Sequence, residues 1–199
     1  MSIKRSRSIS DNLNASKKRK PTNYWALGLL DTMKDPESIV MEDNLVVIIK
    51  DKYPKAEYHY LILPKEDISN LKQVDKEHVS LLEHMHQVAL DLSKDDSHKH
   101  KNFKIGYHAE PSMVRLHLHL ISDDMISSCL KTKKHWNSYN SSFFIDSTDI
   151  CKELAIEGVI KLPTSEVCKQ LLNTALKCHK CDFVPKHMPN LKDHLSSHK

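Results

Sequence analysis

The sequence predicts an α+β chain: an antiparallel sheet with helices, followed by a small C-terminal unit. Three observations carry that prediction. Short β-branched and alternating apolar runs recur between turn signals, as half-buried strands require. One long stretch repeats apolar residues at intervals of three and four, as a helix requires. The residues from Cys178 onward carry paired cysteines and paired histidines set apart from the rest. A chain of 199 residues suits one domain with an appendage.

Residues 1–21 are polar, serine-rich and basic, which predicts a disordered arm. Within it, Lys17-Lys18-Arg19-Lys20-Pro21 resembles a nuclear-import signal. Tyr24 to Leu30 reads as a short helix ending near Asp35-Pro36. Leu45 to Ile49 is a β-branched run, and Tyr58 to Leu63 returns as its antiparallel partner after the turn Lys50-Asp51-Lys52-Tyr53-Pro54-Lys55. Asp75 can cap a helix reaching Leu92, with Val79, Leu82, Met85, Ala89 and Leu92 on one face.

Ser93 to Asn102 reads as a charged loop, so His98 and His100 are expected in solvent. Phe103–His108 and Leu116–Ile121 read as two further strands. Ser127–Asn140 is basic and polar, a loop around a structural Trp136, and Cys151–Val159 and Glu166–Leu176 read as helices. The expected organisation is an arm at 1–21, a catalytic domain at 22–165 and a zinc-finger domain at 166–199.

Charge and composition exclude several functions. The net charge of +4 divides into +6 over residues 1–20, −6 over 21–128 and +4 over 129–199. No apolar run approaches the roughly 18 residues of a membrane span, and the N-terminus holds no apolar signal core. Three glycines, Gly28, Gly106 and Gly158, cannot form a glycine-rich phosphate loop. Five cysteines, an odd number, argue against a disulfide framework and for a reducing compartment, nucleus or cytoplasm.

Cys178, Cys181, His194 and His198 have the spacing C-x2-C-x12-H-x3-H. Two thiolates and two imidazoles satisfy one tetrahedral Zn2+ and leave no open position, so this zinc is expected to be structural. Leu191 supplies the expected small-core contact, and Phe183 or Val184 stands in for the aromatic missing at Pro185. Lys177, Lys180, Lys186 and Lys192 suit phosphate contact; a protein-binding finger is the alternative. Cys129, Cys151 and Cys168 have no paired motif and are expected to be core or idle thiols.

The other constellation is Arg115-Leu116-His117-Leu118-His119-Leu120-Ile121. In a strand, alternate residues share a face, which puts Arg115, His117 and His119 together and the leucines in the core. His84 and His86 lie two apart on a helix and cannot act together. A metal would want a carboxylate or cysteine in register, and none alternates here. Phosphate fits better, because neutral imidazole can attack phosphorus while charged neighbours hold the phosphoryl oxygens.

With Gly106-Tyr107-His108-Ala109 and Pro111-Ser112-Met113 before it, this run resembles the histidine-triad nucleotide hydrolases and transferases. It most resembles their aprataxin branch, which joins a triad domain to a finger. Lys50–His59, Leu63-Pro64 and Cys129–Ser138 carry the likeness, which extends from about Tyr24 to His198. The resemblance implies a histidine-triad fold and removal of AMP from 5′-adenylated ends at nicked or broken DNA, releasing AMP as product. It implies His117 as nucleophile, His119 as an orienting phosphate contact and His59 as proton donor to the leaving phosphate. Lys55, His108 and Ser112 fall at phosphate-pocket positions, Trp25 at a wedge on the terminal base pair, and Lys131, Lys133 and Lys134 in a DNA-facing cluster.

Two departures stand out. Arg115 replaces the first triad histidine; it can hold negative charge but cannot relay a proton, so His117 must be oriented by backbone or by another residue. The short arm leaves no room for the forkhead-associated domain of animal aprataxins, which suggests the fungal-type form. Competing readings are a small-nucleotide hydrolase and a non-catalytic zinc-finger DNA-binding protein.

Overall fold

A computed structural model describes residues 28–198. The basic arm and Trp25 lie outside the described residues, as does most of the first predicted helix; its end is α1 (Gly28–Thr32). The strands are β1 (Ile39–Glu42), β2 (Val46–Lys50), β3 (His59–Pro64), β4 (Phe103–His108), β5 (Leu118–Ser122) and β6 (Phe144–Asp146). They form one antiparallel sheet in the order β1-β2-β3-β5-β4-β6. The helices are α2 (Val79–Ser93), α3 (Lys133–Asn140), α4 (Ser147–Glu157), α5 (Ser165–Asn173) and α6 (Met188–Leu195).

Alternation along the strands sorts the core into two faces. Val46, Ile48, Tyr60, Ile62, Ile105, Tyr107, Leu118 and Leu120 face α2 and α4 in the main apolar cluster. Leu82, Met85 and Ala89, on the predicted face of α2, complete it, and Asp75 caps a 3-10 turn that leads into the helix. The opposite face carries His59, Leu61, Lys104, Gly106, His108, His119 and Ile121. There Ala56, Ile121 and Met125 pack with Trp136 and Tyr139 of α3 and with the finger's Met188, Leu191 and Leu195.

Several local readings are corrected. Lys133–Asn140 is a helix because Thr132 caps it, its hydroxyl accepting from the His135 N–H, and because Trp136, Asn137 and Tyr139 bury one side. Asn137 Nδ2 donates to the carbonyls of Leu172 and Thr174 at 3.1 and 2.8 Å, fastening α5 to α3. The strand expected from Leu116 begins at Leu118, since Arg115 adopts φ 107° and the Arg115 and Leu116 N–H groups donate to Ser69 and Ile68 carbonyls. His98 is buried rather than solvated, bonded to the Leu92 carbonyl and the Tyr60 hydroxyl at 2.8 and 3.0 Å. His84 and His86 go separate ways, to Asp43 and Ser147.

Candidate active site

Sheet register assembles the histidines. His119 on β5 stands opposite Leu61 of β3 and Gly106 of β4. His59 and His108, two residues from those partners, therefore flank it on the same face. His59 Nε2 lies 3.0 Å from His119 Nδ1. The His119 ring centroid is 4.4 Å from that of His108 and 4.9 Å from that of His117. Tyr139 of α3 closes over them, edge-on to His59 and His119, with its hydroxyl 3.5 Å from His59 Nε2.

The hydrogen bonds define the tautomers. His117 Nδ1 lies 2.7 Å from the Arg115 carbonyl, which can only accept, so Nδ1 carries the proton and Nε2 keeps its lone pair. The Lys55 N–H donates to His59 Nδ1 at 3.3 Å, so neutral His59 holds its proton on Nε2 and donates it to His119 Nδ1. His119 must then carry its own proton on Nε2. That atom and His108 Nε2 are buried without a partner.

Burial is the largest cause pushing all four imidazoles below their ordinary value: His59 to about 4, His117 down, and His108 and His119 well down. All four are neutral at pH 7. Asp51, with Oδ2 at 3.4 Å from His59 Nδ1, works the other way on His59. The turn after β2 thus brings in a carboxylate that strand alternation could not reveal, and Asp51, His59 and His119 form one donor cluster. Burial also raises the Tyr139 hydroxyl far above its usual range.

A cleft of about 480 Å³ opens on this cluster, lined by His108, His117 and His119 and by Lys55, Ser112, Lys131 and Lys134. Leu61, Met113, Phe143 and Leu172 form an apolar part of its wall. The Lys55 ammonium is bonded to the Tyr53 carbonyl. His59 is not on the wall but behind His119. Two sequence-predicted residues lie elsewhere. Lys133 donates to the Asn173 carbonyl at the end of α5. The Arg115 guanidinium turns away to Asp67 and to the carbonyls of Pro64 and Lys65, because its positive φ breaks the alternation. Cys129 lines the cleft, while Cys151 and Cys168 are buried.

The second cluster brings Cys178, Cys181, His194 and His198 together. Sγ-to-Nε2 distances are 3.2 to 3.5 Å, and the two Nε2 atoms are 3.1 Å apart. Zinc bonds of about 2.0 Å to nitrogen and 2.3 Å to sulfur set tetrahedral edges of roughly 3.3–3.6 Å between these ligand types, so the residues fit the ion. Phe183 takes the aromatic role, stacked on His194 with centroids 4.0 Å apart, and Val184 is exposed. Leu191 is fully buried as expected.

The finger is fastened to the sheet. Trp136 Nε1 donates to the Lys177 carbonyl, His179 Nε2 to the Asp123 carbonyl just beyond β5, and Lys192 to the Ser127 carbonyl. Lys177 pairs with Asp182 and Lys180 with Asp123, leaving Lys186 exposed.

Triad histidines on an antiparallel sheet, joined to a Cys/His finger, define a histidine-triad protein with a zinc-binding appendage. Residues 24–135 match the family described as scavenger mRNA decapping enzyme C-term binding, and 140–199 match the C2HE / C2H2 / C2HC zinc-binding finger. The chain is 46% identical over 185 residues to an aprataxin of Ciona intestinalis, covering 92% of this chain and 48% of that relative. It is 32% identical to an aprataxin-like protein of Saccharomyces cerevisiae, covering 86% of this chain and 94% of that one. The aprataxin ortholog Hnt3, solved in complex with DNA, superposes with a TM-score of 0.70 at 27% identity, covering 87% of this chain and 94% of that chain. The chain belongs to the aprataxin family. It spans 48% of the length of that Ciona intestinalis relative and 56% and 60% of the aprataxins of Danio rerio and Gallus gallus.

Proposed function

We propose that this protein is a DNA 5′-adenylate hydrolase, removing AMP left on 5′ ends by abortive ligation through a covalent AMP–histidine intermediate. The observation that carries the reading is His117 Nε2, a neutral lone pair held by its Nδ1 bond to Arg115, beside the unpartnered His119 Nε2–H in a lysine-edged cleft. Membership of the aprataxin family and the DNA complex of Hnt3 support DNA as the partner.

In the first step His117 Nε2 forms a bond to the AMP phosphorus and the P–O bond to the DNA 5′-phosphate breaks. The positive charge arising on the ring is shared with the Arg115 carbonyl through Nδ1–H. His119 Nε2–H receives the phosphoryl group, with His108, Ser112 and Lys55 beside it. His59 supplies the leaving-group proton from behind. An incoming pyrophosphate and the nearby Asp51 carboxylate favour its charged form, and one proton passes through His119 to the departing phosphate oxygen. Water then attacks phosphorus and gives one proton to His119 Nε2, which returns its Nδ1 proton to His59; the N–P bond breaks, AMP leaves and His117 returns to neutrality.

Lys131 and Lys134 contact the DNA backbone in this reading, Trp25 stacks on the terminal base pair, and the finger holds one structural Zn2+. A nuclear location follows from such a substrate and from the basic arm. Among the described residues no helix is long and apolar enough to cross a membrane.

Nicked DNA bearing a 5′-AMP cap, run in parallel with a small AMP-amidate, tests this. Faster release from DNA is expected, with His117→Ala inactive but still binding DNA. Equal or better amidate turnover would favour a small-nucleotide hydrolase. Turnover of neither would favour a non-catalytic DNA-binding protein.

A further inference from the structure

Arg115 stands where the triad pattern calls for histidine, yet its side chain is almost wholly buried outside the cleft. Nη1 donates to Asp67 Oδ1 at 2.6 Å, and Nη2 donates to the Pro64 and Lys65 carbonyls at 2.9 and 2.7 Å. The main chain is fastened to the same turn, with the Arg115 N–H on the Ser69 carbonyl at 3.1 Å and the Leu116 N–H on the Ile68 carbonyl at 2.8 Å. Arg115 has φ 107°, a conformation that L-residues hold only where surrounding contacts enforce it. The carbonyl this conformation aims is the one that accepts from His117 Nδ1 at 2.7 Å.

We infer that Arg115 is a positioning residue: its guanidinium clamps the turn after β3 and thereby sets the tautomer and aim of His117. The inference rests on the reading of His117 as nucleophile. The residue acts through its own carbonyl and not through charge in the cleft. Its fork is already committed to a carboxylate and two carbonyls, and the arginine contribution to the His117 environment is the backbone hydrogen bond. A histidine has no three-armed reach to that turn, so here the first triad position has exchanged a ring inside the cluster for a clamp outside it. Lysine cannot replace it, because a single ammonium on a flexible stem lacks the planar fork that spans three acceptors.

The test is imidazole nitrogen NMR of His117 at pH 7 alongside turnover of adenylated nicked DNA. Wild type should show one Nδ1–H tautomer. Arg115→Ala should show a mixture and lose about 100-fold in kcat, the scale of a misplaced reacting group, with KM held within about twofold. Arg115→Lys should fail to restore either readout, and guanidinium ion at tens of millimolar should partly restore both in Arg115→Ala. Melting temperature and zinc content report whether each variant folds. Asp67→Asn, altering an exposed carboxylate, should shift the tautomer in the same direction by less. An Arg115→Ala protein with the wild-type tautomer and kcat overturns the inference, as does a loss confined to KM, which would place the guanidinium on substrate. If wild type does not turn over adenylated DNA but Arg115→Ala still scrambles the tautomer, the inference stands and the substrate reading falls.

Discussion

Acidification should weaken this fold through its histidine cluster before most carboxylates titrate. His59, His108, His117 and His119 are buried on one sheet face, and burial lowers the pKa of each. His59 falls to about 4, against 6.5 when exposed. Below pH 6.5 the unfolded chain therefore binds more protons than the folded one. The stability is fully present above that pH and drains away as pH falls towards the folded value. Between pH 7 and 5 His59 alone accounts for a loss of about 2 kcal/mol, from roughly 1.4 kcal/mol per unit over the part of the window below 6.5. The other three act in the same direction, against a typical total of about 5–15 kcal/mol.

The assay is urea unfolding of wild type and His59→Gln at both pH values. Glutamine can hydrogen-bond but does not titrate, so the variant should lose about 2 kcal/mol less than wild type on going to pH 5. Acid also releases metal by protonating thiolates and imidazoles, but that contribution is common to both proteins and cancels in the difference. Equal losses in the two would refute the reasoning. Asp51, the carboxylate beside His59, opposes the effect; Lys55 and His117 reinforce it.

Gly106→Ala should destabilise the sheet by about 1–3 kcal/mol, read as a lower melting temperature. A Cβ there would lie 2.3 Å from the Ile145 carbonyl and 2.7 Å from Phe144, forcing β4 and β6 apart. Cys181→Ser should lower zinc content and also slow turnover of a small AMP-amidate, because His179 and Lys192 brace the segment just beyond β5. Unchanged amidate turnover after zinc loss would show that this bracing does not reach the histidines.

What could be read in advance depended on whether a residue's environment is local. The Val46–Ile49 and Leu61–Leu63 runs, the α2 face and the Phe103–His108 strand announce themselves because their apolar period is set by their own element. The ligand spacing of the finger is local in the same way. β1 and β6, of four and three residues, are too short to show a period and exist because a neighbouring strand offers them an edge. Lys133–Asn140 reads as polar because its buried face rests on Trp136, Asn137 and Tyr139, and all three have polar side-chain atoms satisfied only by distant partners.

The site follows the same division. His117 and His119 are two apart in sequence, whereas Asp51 and Tyr139 join them only through the turn after β2 and the placing of α3. Arg115 is the sharpest case. Strand alternation assigned its side chain to the phosphate face, and nothing in an arginine codon announces a positive φ. Its three acceptors come from the Pro64–Asp67 turn, some fifty positions earlier. The alternation rule failed because it assumes regular extended backbone, and the chain departs from it just before the residue whose ring it must aim.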